Sequence, residues 1–312
     1  MLSPPAVASD NLKRMEHLEE LKPIEGLRNP VLLTGFRVHE RAGRLAARCI
    51  NQLVDEWRAE AVAKIDMTPF LDLAFNRPQI RRSETESSIT WPDATLYLTR
   101  SAAPDRDLLL FSSVEPNFHW PTFVETIASY LQHLGVQTLI TMRAHPGVVP
   151  HTRPAPIYLT ATDRDLQLLF GVQANAAKYE GPSSIAGVLA ARAQALGWAT
   201  AELAVVQPDY FPRMPCAEAM ISLFNLIDKA LGTTTSLDTL RKTASAQREM
   251  LDGATSASEE ARVEVENRER SYDQGALELE FLSPSQTPSN LPAAEQIVDE
   301  IERFFRQSRS ED

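Results

Sequence analysis

The chain has 312 residues, of which 43% are hydrophobic and 23% charged, with 42 acidic residues against 31 basic ones and a formal net charge of -11. That length suits two soluble domains of average size or one large α/β domain with an appendage, and the acidic balance argues against nucleic acid or an anionic membrane as partner, since both select a positive surface. Two cysteines, Cys49 and Cys216, supply neither a disulfide framework nor a C-x-x-C metal knuckle, and no apolar run approaches the ~20 residues of a membrane span.

Residues 1–29 read as an N-terminal extension. Their first 21 lack the basic-then-apolar order of a secretory signal, so a cytoplasmic location is expected. Val31-Leu-Leu-Thr-Gly-Phe36 is a short apolar run of the kind that forms a buried strand. Residues 41–57 follow with Leu45, Ala46, Cys49, Ile50, Leu53 and Trp57 spaced by three and four, one apolar helix face. Strands are predicted at 61–66 and 94–100, and Leu108-Leu-Leu-Phe-Ser-Ser-Val114 is the clearest buried strand of the chain. A helix over 120–134 carries Phe123, Ile127, Tyr130 and Leu131 on one side, and Gly135 stops it before a strand at 136–142. A strand at 155–161, a short helix at 163–170, a helix at 184–196, a strand at 199–206 and a helix at 216–231 complete the body. Short apolar strands alternating with amphipathic helices predict a three-layer α/β/α domain over residues 30–235, with a mostly parallel sheet.

Beyond it, residues 236–312 hold 17 acidic and 9 basic residues, and Gly232-Thr-Thr-Thr-Ser236 reads as the linker to this acidic, helical C-terminal region. Leu237, Leu240, Ala244, Gln247, Leu251, Ala254, Ser258, Ala261, Val265, Arg268 and Tyr272 form a stripe with steps of three and four. Gln247, Ser258 and Arg268 weaken that stripe, and Gly253 is expected to interrupt the helix. The segment therefore reads as helical but outside the main core, either an amphipathic helix or helical pair packed on its own domain or an arm contacting another subunit or partner. Residues 283–290 read as an exposed loop and 293–305 as a last docking helix.

The sequence contains no phosphate-binding loop, dinucleotide fingerprint, nucleophile elbow or H-E-x-x-H motif. The six histidines lie mostly apart, and neither a metal nor a cofactor is expected. What remains is a set of polar residues at predicted carboxyl ends of strands, where open α/β sheets bind ligands. Arg37 and His39 follow the first strand, Glu115 and Asn117 the strongest one, and Arg143 and His145 the strand after the 120–134 helix. Ser183 and Ser184, in Tyr179-Glu-Gly-Pro-Ser-Ser-Ile185, stand at a helix start whose free N–H groups suit an anion. The structural alternative makes these residues turn formers and caps, with Glu115 capping the helix near Trp120 and a serine capping its own.

The glycine turn with Phe36 and Ala42-Gly43, and Val114-Glu115-Pro116 followed by Trp120 and Phe123, resemble segments of the proteasome assembly chaperone 2 family. His151-Thr-Arg-Pro154 and Tyr179-Glu-Gly-Pro-Ser-Ser-Ile185 are similar to its bacterial, especially actinobacterial, members, and the similarity runs roughly over residues 30–231. Val38-His39-Glu40-Arg41 replaces the Asn-Asp or Asp-Ala that many members carry before Ala-Gly. The resemblance implies a domain similar to nucleoside phosphorylases, self-association as a dimer or trimer, and a protein partner, since eukaryotic relatives assist proteasome assembly. It implies no catalytic residue here.

Two functions compete. One is a non-enzymatic scaffold or assembly-chaperone-like protein. The other is an enzyme or small-molecule binder, with a pocket for an anionic ligand built from Arg37, His39, Glu115, Asn117, Arg143 and His145.

Overall fold

A computed structural model describes residues 17–38, 44–83, 86–171, 180–211 and 214–275. In chain order the elements are β1 (Leu18–Glu20), β2 (Val31–Arg37), α1 (Leu45–Glu56), β3 (Glu60–Asp66), β4 (Gln79–Arg82), β5 (Ser87–Thr90), β6 (Asp93–Thr99), β7 (Leu108–Val114) and α2 (Trp120–His133). They continue with β8 (Thr138–Gly147), β9 (Ile157–Ala161), α3 (Arg164–Phe170), α4 (Ile185–Ala195), β10 (Ala199–Pro208), α5 (Ala217–Leu231), α6 (Asp238–Ser256) and α7 (Glu259–Asp273).

Eight strands form one sheet in the order β1-β3-β6-β7-β2-β8-β10-β9. Its centre, β7-β2-β8-β10, pairs in parallel, and β6, β9 and β1 run the other way. Helices α1, α3 and α5 cover one face and α2 and α4 the other, which is the expected three-layer arrangement. Strand alternation divides the central apolar run between the layers: Leu108 and Leu110 join the first core, Leu109 and Phe111 the second, and none is more than 1% exposed. Phe111 meets Phe36 with ring centroids 5.9 Å apart. Gly35 is required by the close crossing of β2 and α1, because a Cβ there would lie 2.5 Å from the Ala46 carbonyl oxygen.

The structure differs from the sequence reading in four places. First, β8 runs through Gly147 and pairs with β10 along its whole length, so Arg143 and His145 are strand residues and not loop residues. Polar side chains on one face hid this strand from an apolar-run criterion. Second, β1 and the β4–β5 hairpin were not expected; they are short, and the hairpin is exposed throughout. Third, the expected linker is pinned: Thr233 Oγ1 and Thr235 Oγ1 both donate to Asp228 Oδ1, at 2.5 and 2.9 Å, and the Thr235 amide donates to Asp228 Oδ2 at 2.9 Å.

Fourth, the C-terminal helices belong to the main core. Leu237, Leu240, Leu251, Ala254 and Ala261 join the apolar cluster under α5, and α6 continues through the exposed Gly253 without a break. His39, Ala42, Gly43 and Tyr179, like the expected loop 283–290 and helix 293–305, lie outside the described residues. Among the described residues no helix is long and apolar enough to cross a membrane.

Candidate functional site

On β8, β9 and β10 the alternation puts apolar residues under α3 and α5 and polar ones on the opposite face. Thr141 pairs with Glu202 and Arg143 with Ala204 across β8–β10, while Thr160 and Tyr158 sit beside Glu202 and Ala204 across β10–β9. Helix α4 faces this polar patch with Ala186, Gly187, Ala190 and Ala191. These side chains are too small to reach the sheet, and a cavity of about 710 Å³ is left between the two layers. That volume is in the range of small-ligand sites.

Five of the eight expected site residues line this cavity: Glu115, Arg143, His145, Ser183 and Ser184. Arg37 and Asn117 do not. Arg37 ends β2, where its carbonyl accepts the Glu115 amide at 3.0 Å. Asn117 Oδ1 holds the segment after β3 by accepting the Asp72 amide and Asn76 Nδ2, both at 2.9 Å.

The charges inside the cavity are largely matched by the protein itself. Arg143 Nη1 lies 3.4 Å from Glu202 Oε1, with both side chains about one third exposed or less, at 35% and 28%. Burial, reinforced by the Arg143 charge, pushes the His145 imidazole down to about 4, so it is neutral at pH 7. The start of α4 is occupied too. Glu115 Oε1 accepts the Ile185 amide at 2.9 Å and Ser184 Oγ accepts the Gly187 amide at 3.4 Å. The expected anion site thus already holds a carboxylate of the chain, and Glu115 caps α4 and not the helix at Trp120.

Three cavity hydroxyls are also engaged with the fold: Ser183 Oγ donates to the Ser184 carbonyl, Thr141 Oγ1 to that of Ala201 and Thr162 Oγ1 to that of Thr200. No group of three His, Cys, Asp or Glu residues among those described is arranged to hold a metal ion.

A second polar cluster ties α6 and α7 to the body. His151, whose side chain is 2% exposed, engages Tyr210 Oη through Nδ1 at 2.7 Å and Asp252 Oδ1 through Nε2 at 3.0 Å. The Arg268 guanidinium stacks over the Tyr210 ring at 5.1 Å and pairs with Asp209 at 2.5 Å and Glu264 at 2.7 Å. Beside it a cavity of about 420 Å³ opens between the 149–155 segment, α5 and α6. Sequence reasoning missed this cluster, and of the three polar residues that weakened the C-terminal stripe only Arg268 belongs to it.

The model of the PAC2 family matches residues 41–255 of the chain. The chain belongs to the PAC2 family. A PAC2 family protein from Streptomyces avermitilis is 28% identical with a TM-score of 0.68, and the match covers 76% of this PAC2 chain and 99% of that one. A proteasome-assembly chaperone homologue from Mycobacterium tuberculosis is 29% identical with a TM-score of 0.63, over 71% of this chain and 94% of that one. An archaeal proteasome activator from Pyrococcus furiosus shares the fold at 16% identity and a TM-score of 0.58, over 77% of this chain and 99% of that one. A search of curated proteins found none that matches the chain.

Proposed function

We propose that this PAC2-family protein is a protein-binding scaffold of the assembly-chaperone type, self-associating in the cytoplasm and acting on proteasome subunits, and that it is not an enzyme. The observation that carries the reading is the internal matching of the main cavity. Its arginine is paired with Glu202, its histidine is neutral, and the donors of α4 are occupied by Glu115 and Ser184. A hydrolytic or transfer site needs a nucleophile beside a base, or donors left free for developing charge. Family membership and the proteasome-assembly chaperone homologue from Mycobacterium tuberculosis support this choice of partner. The test is to incubate the purified protein with unassembled proteasome α and β subunits and follow assembly by native mass spectrometry. A complex with subunits or a changed assembly rate is expected; neither, over the full stoichiometric range, removes the reading.

The alternative of a small-molecule binder rests on the same cavity of about 710 Å³. Since Glu115 and Glu202 outnumber Arg143 among the described residues there, a neutral or cationic polar ligand suits it better than the anion expected from sequence. Replacing Ala190 by Leu fills the cavity and would abolish such binding, whereas subunit binding would persist.

A further inference from the structure

We infer that the cavity of about 420 Å³ between the 149–155 segment, α5 and α6 is a binding site for a small carboxylate carried on an apolar body. The site shares no lining residue with the main cavity, and the scaffold reading does not depend on it. Its floor is apolar. Val206 from the end of β10, Phe211 just after that strand, Ile221 from α5 and Leu251 from α6 all line it, and none is more than 9% exposed. Hydrocarbon placed there leaves water, which is the favourable term for an apolar ligand body. The rim is basic and polar. On α6, Arg241, Ser245 and Arg248 follow at steps of four and three, so they share one helix face, and all three are exposed where they line the cavity. Asn225 is the exposed member of the α5 wall.

The charge of this rim, unlike that of the main cavity, is not matched by the chain. Arg241 has no side-chain partner among the described residues, and Arg248 has only the uncharged Thr152 carbonyl. The arginines of α7 behave differently: Arg262 bridges Glu259 and Glu266, and Arg268 pairs with Asp209 and Glu264. Two other basic lining residues are also taken, Arg153 by Glu269 and Asp273, and His151 by Tyr210 and Asp252. Glu218 is the one carboxylate among the described lining residues, so two unpaired guanidinium groups stand against it. A guanidinium holds a carboxylate through two parallel N–H bonds. Seven helical residues separate Arg241 from Arg248 by roughly 10.5 Å, so one carboxylate meets one arginine. Arg248 is anchored to Thr152, which leaves Arg241 to make that contact. The side chains of Asn225 and Ser245, also without partners among the described residues, add neutral hydrogen-bonding groups beside it. Bare phosphate would leave the apolar floor unfilled, and an apolar cation would meet the arginines.

The test is titration calorimetry on the purified full chain, with octanoate and 3-phenylpropionate as probes and octylamine and inorganic phosphate as controls. At least one of the two carboxylates is expected to bind with one equivalent per chain, and neither control is expected to bind. Arg241→Gln is expected to weaken the carboxylate by about tenfold or more, the loss of one charge-assisted contact. Ser245→Trp, which sets an indole in the mouth, is expected to abolish binding. Both substitutions change exposed side chains, so the thermal melt of each variant is expected to match the wild type. Absence of binding by both carboxylates overturns the inference. So does octylamine or phosphate binding as tightly as they do, or an affinity that either Arg241→Gln or Ser245→Trp leaves unchanged.

Discussion

Glu115 shows how one carboxylate can be assigned three roles and have only one. Sequence spacing offered it as a pocket base or as the cap of the nearest helix; its Oε1 instead accepts the Ile185 amide, 70 residues away. Replacing Glu115 by Ala is expected to cost about 1 kcal/mol, as a lost N-terminal cap does, and a denaturant midpoint equal to wild type would refute the role. His145 carries a pH signature. It is neutral in the folded protein down to about pH 4, while the unfolded chain takes up its proton near 6.5. The unfolded state then binds more protons between those values, so stability present above pH 6.5 is lost as pH falls toward 4. His145→Asn should flatten the stability–pH curve in that window, measured by denaturant titrations at each pH. Phe111 is governed by packing alone: at 1% exposure against Phe36 and Phe123, its replacement by Ala should cost ~3–5 kcal/mol. An unchanged midpoint would show that the site collapses around the loss.

Among the elements, the C-terminal helices changed most between sequence and structure. Their stripe was legible, because a period of three and four survives in the sequence whatever it packs against. Its meaning was not, since Gln247, Ser258 and Arg268 resemble interruptions until their partners are known. Gln247 Oε1 accepts the Ala217 amide and its Nε2 donates to the Pro215 carbonyl, both at 2.9 Å, which secures the start of α5. Ser258 Oγ caps α7, and Tyr272 Oη donates to the Pro154 carbonyl at 2.9 Å. Arg268 is buried with Asp209 and Glu264. Deleting residues 236–312 should therefore leave an unfolded or insoluble body, the reverse of the outcome expected for a detachable appendage. A soluble body with a cooperative melt would restore the separate region. Arg268→Ala, which strands the Asp209 carboxylate, should cost about 3–5 kcal/mol, the usual penalty for breaking a buried pair.

For the whole molecule, the three-layer fold followed from local pattern, and the family from the resemblance of short segments such as Val114-Glu115-Pro116. Apolar runs of strand length, such as 108–114, and helices with one apolar face leave few ways to bury both except a covered sheet. The same logic identified the C-terminal stripe as a helix face but set it outside the main core, which several of its residues in fact join. Strand order, the reach of β8 past Met142 and the convergence of Glu115, Ser184, Arg143 and His145 on one cavity were decided only in three dimensions. These depend on hydrogen bonds between residues tens of positions apart, and a polar strand residue looks the same in sequence whether it faces water, a cavity or a partner. Tertiary structure also removed the charge that the sequence seemed to offer a ligand. An arginine or a helix start is an anion site only if no carboxylate of the chain arrives first, and here Glu202 and Glu115 both do.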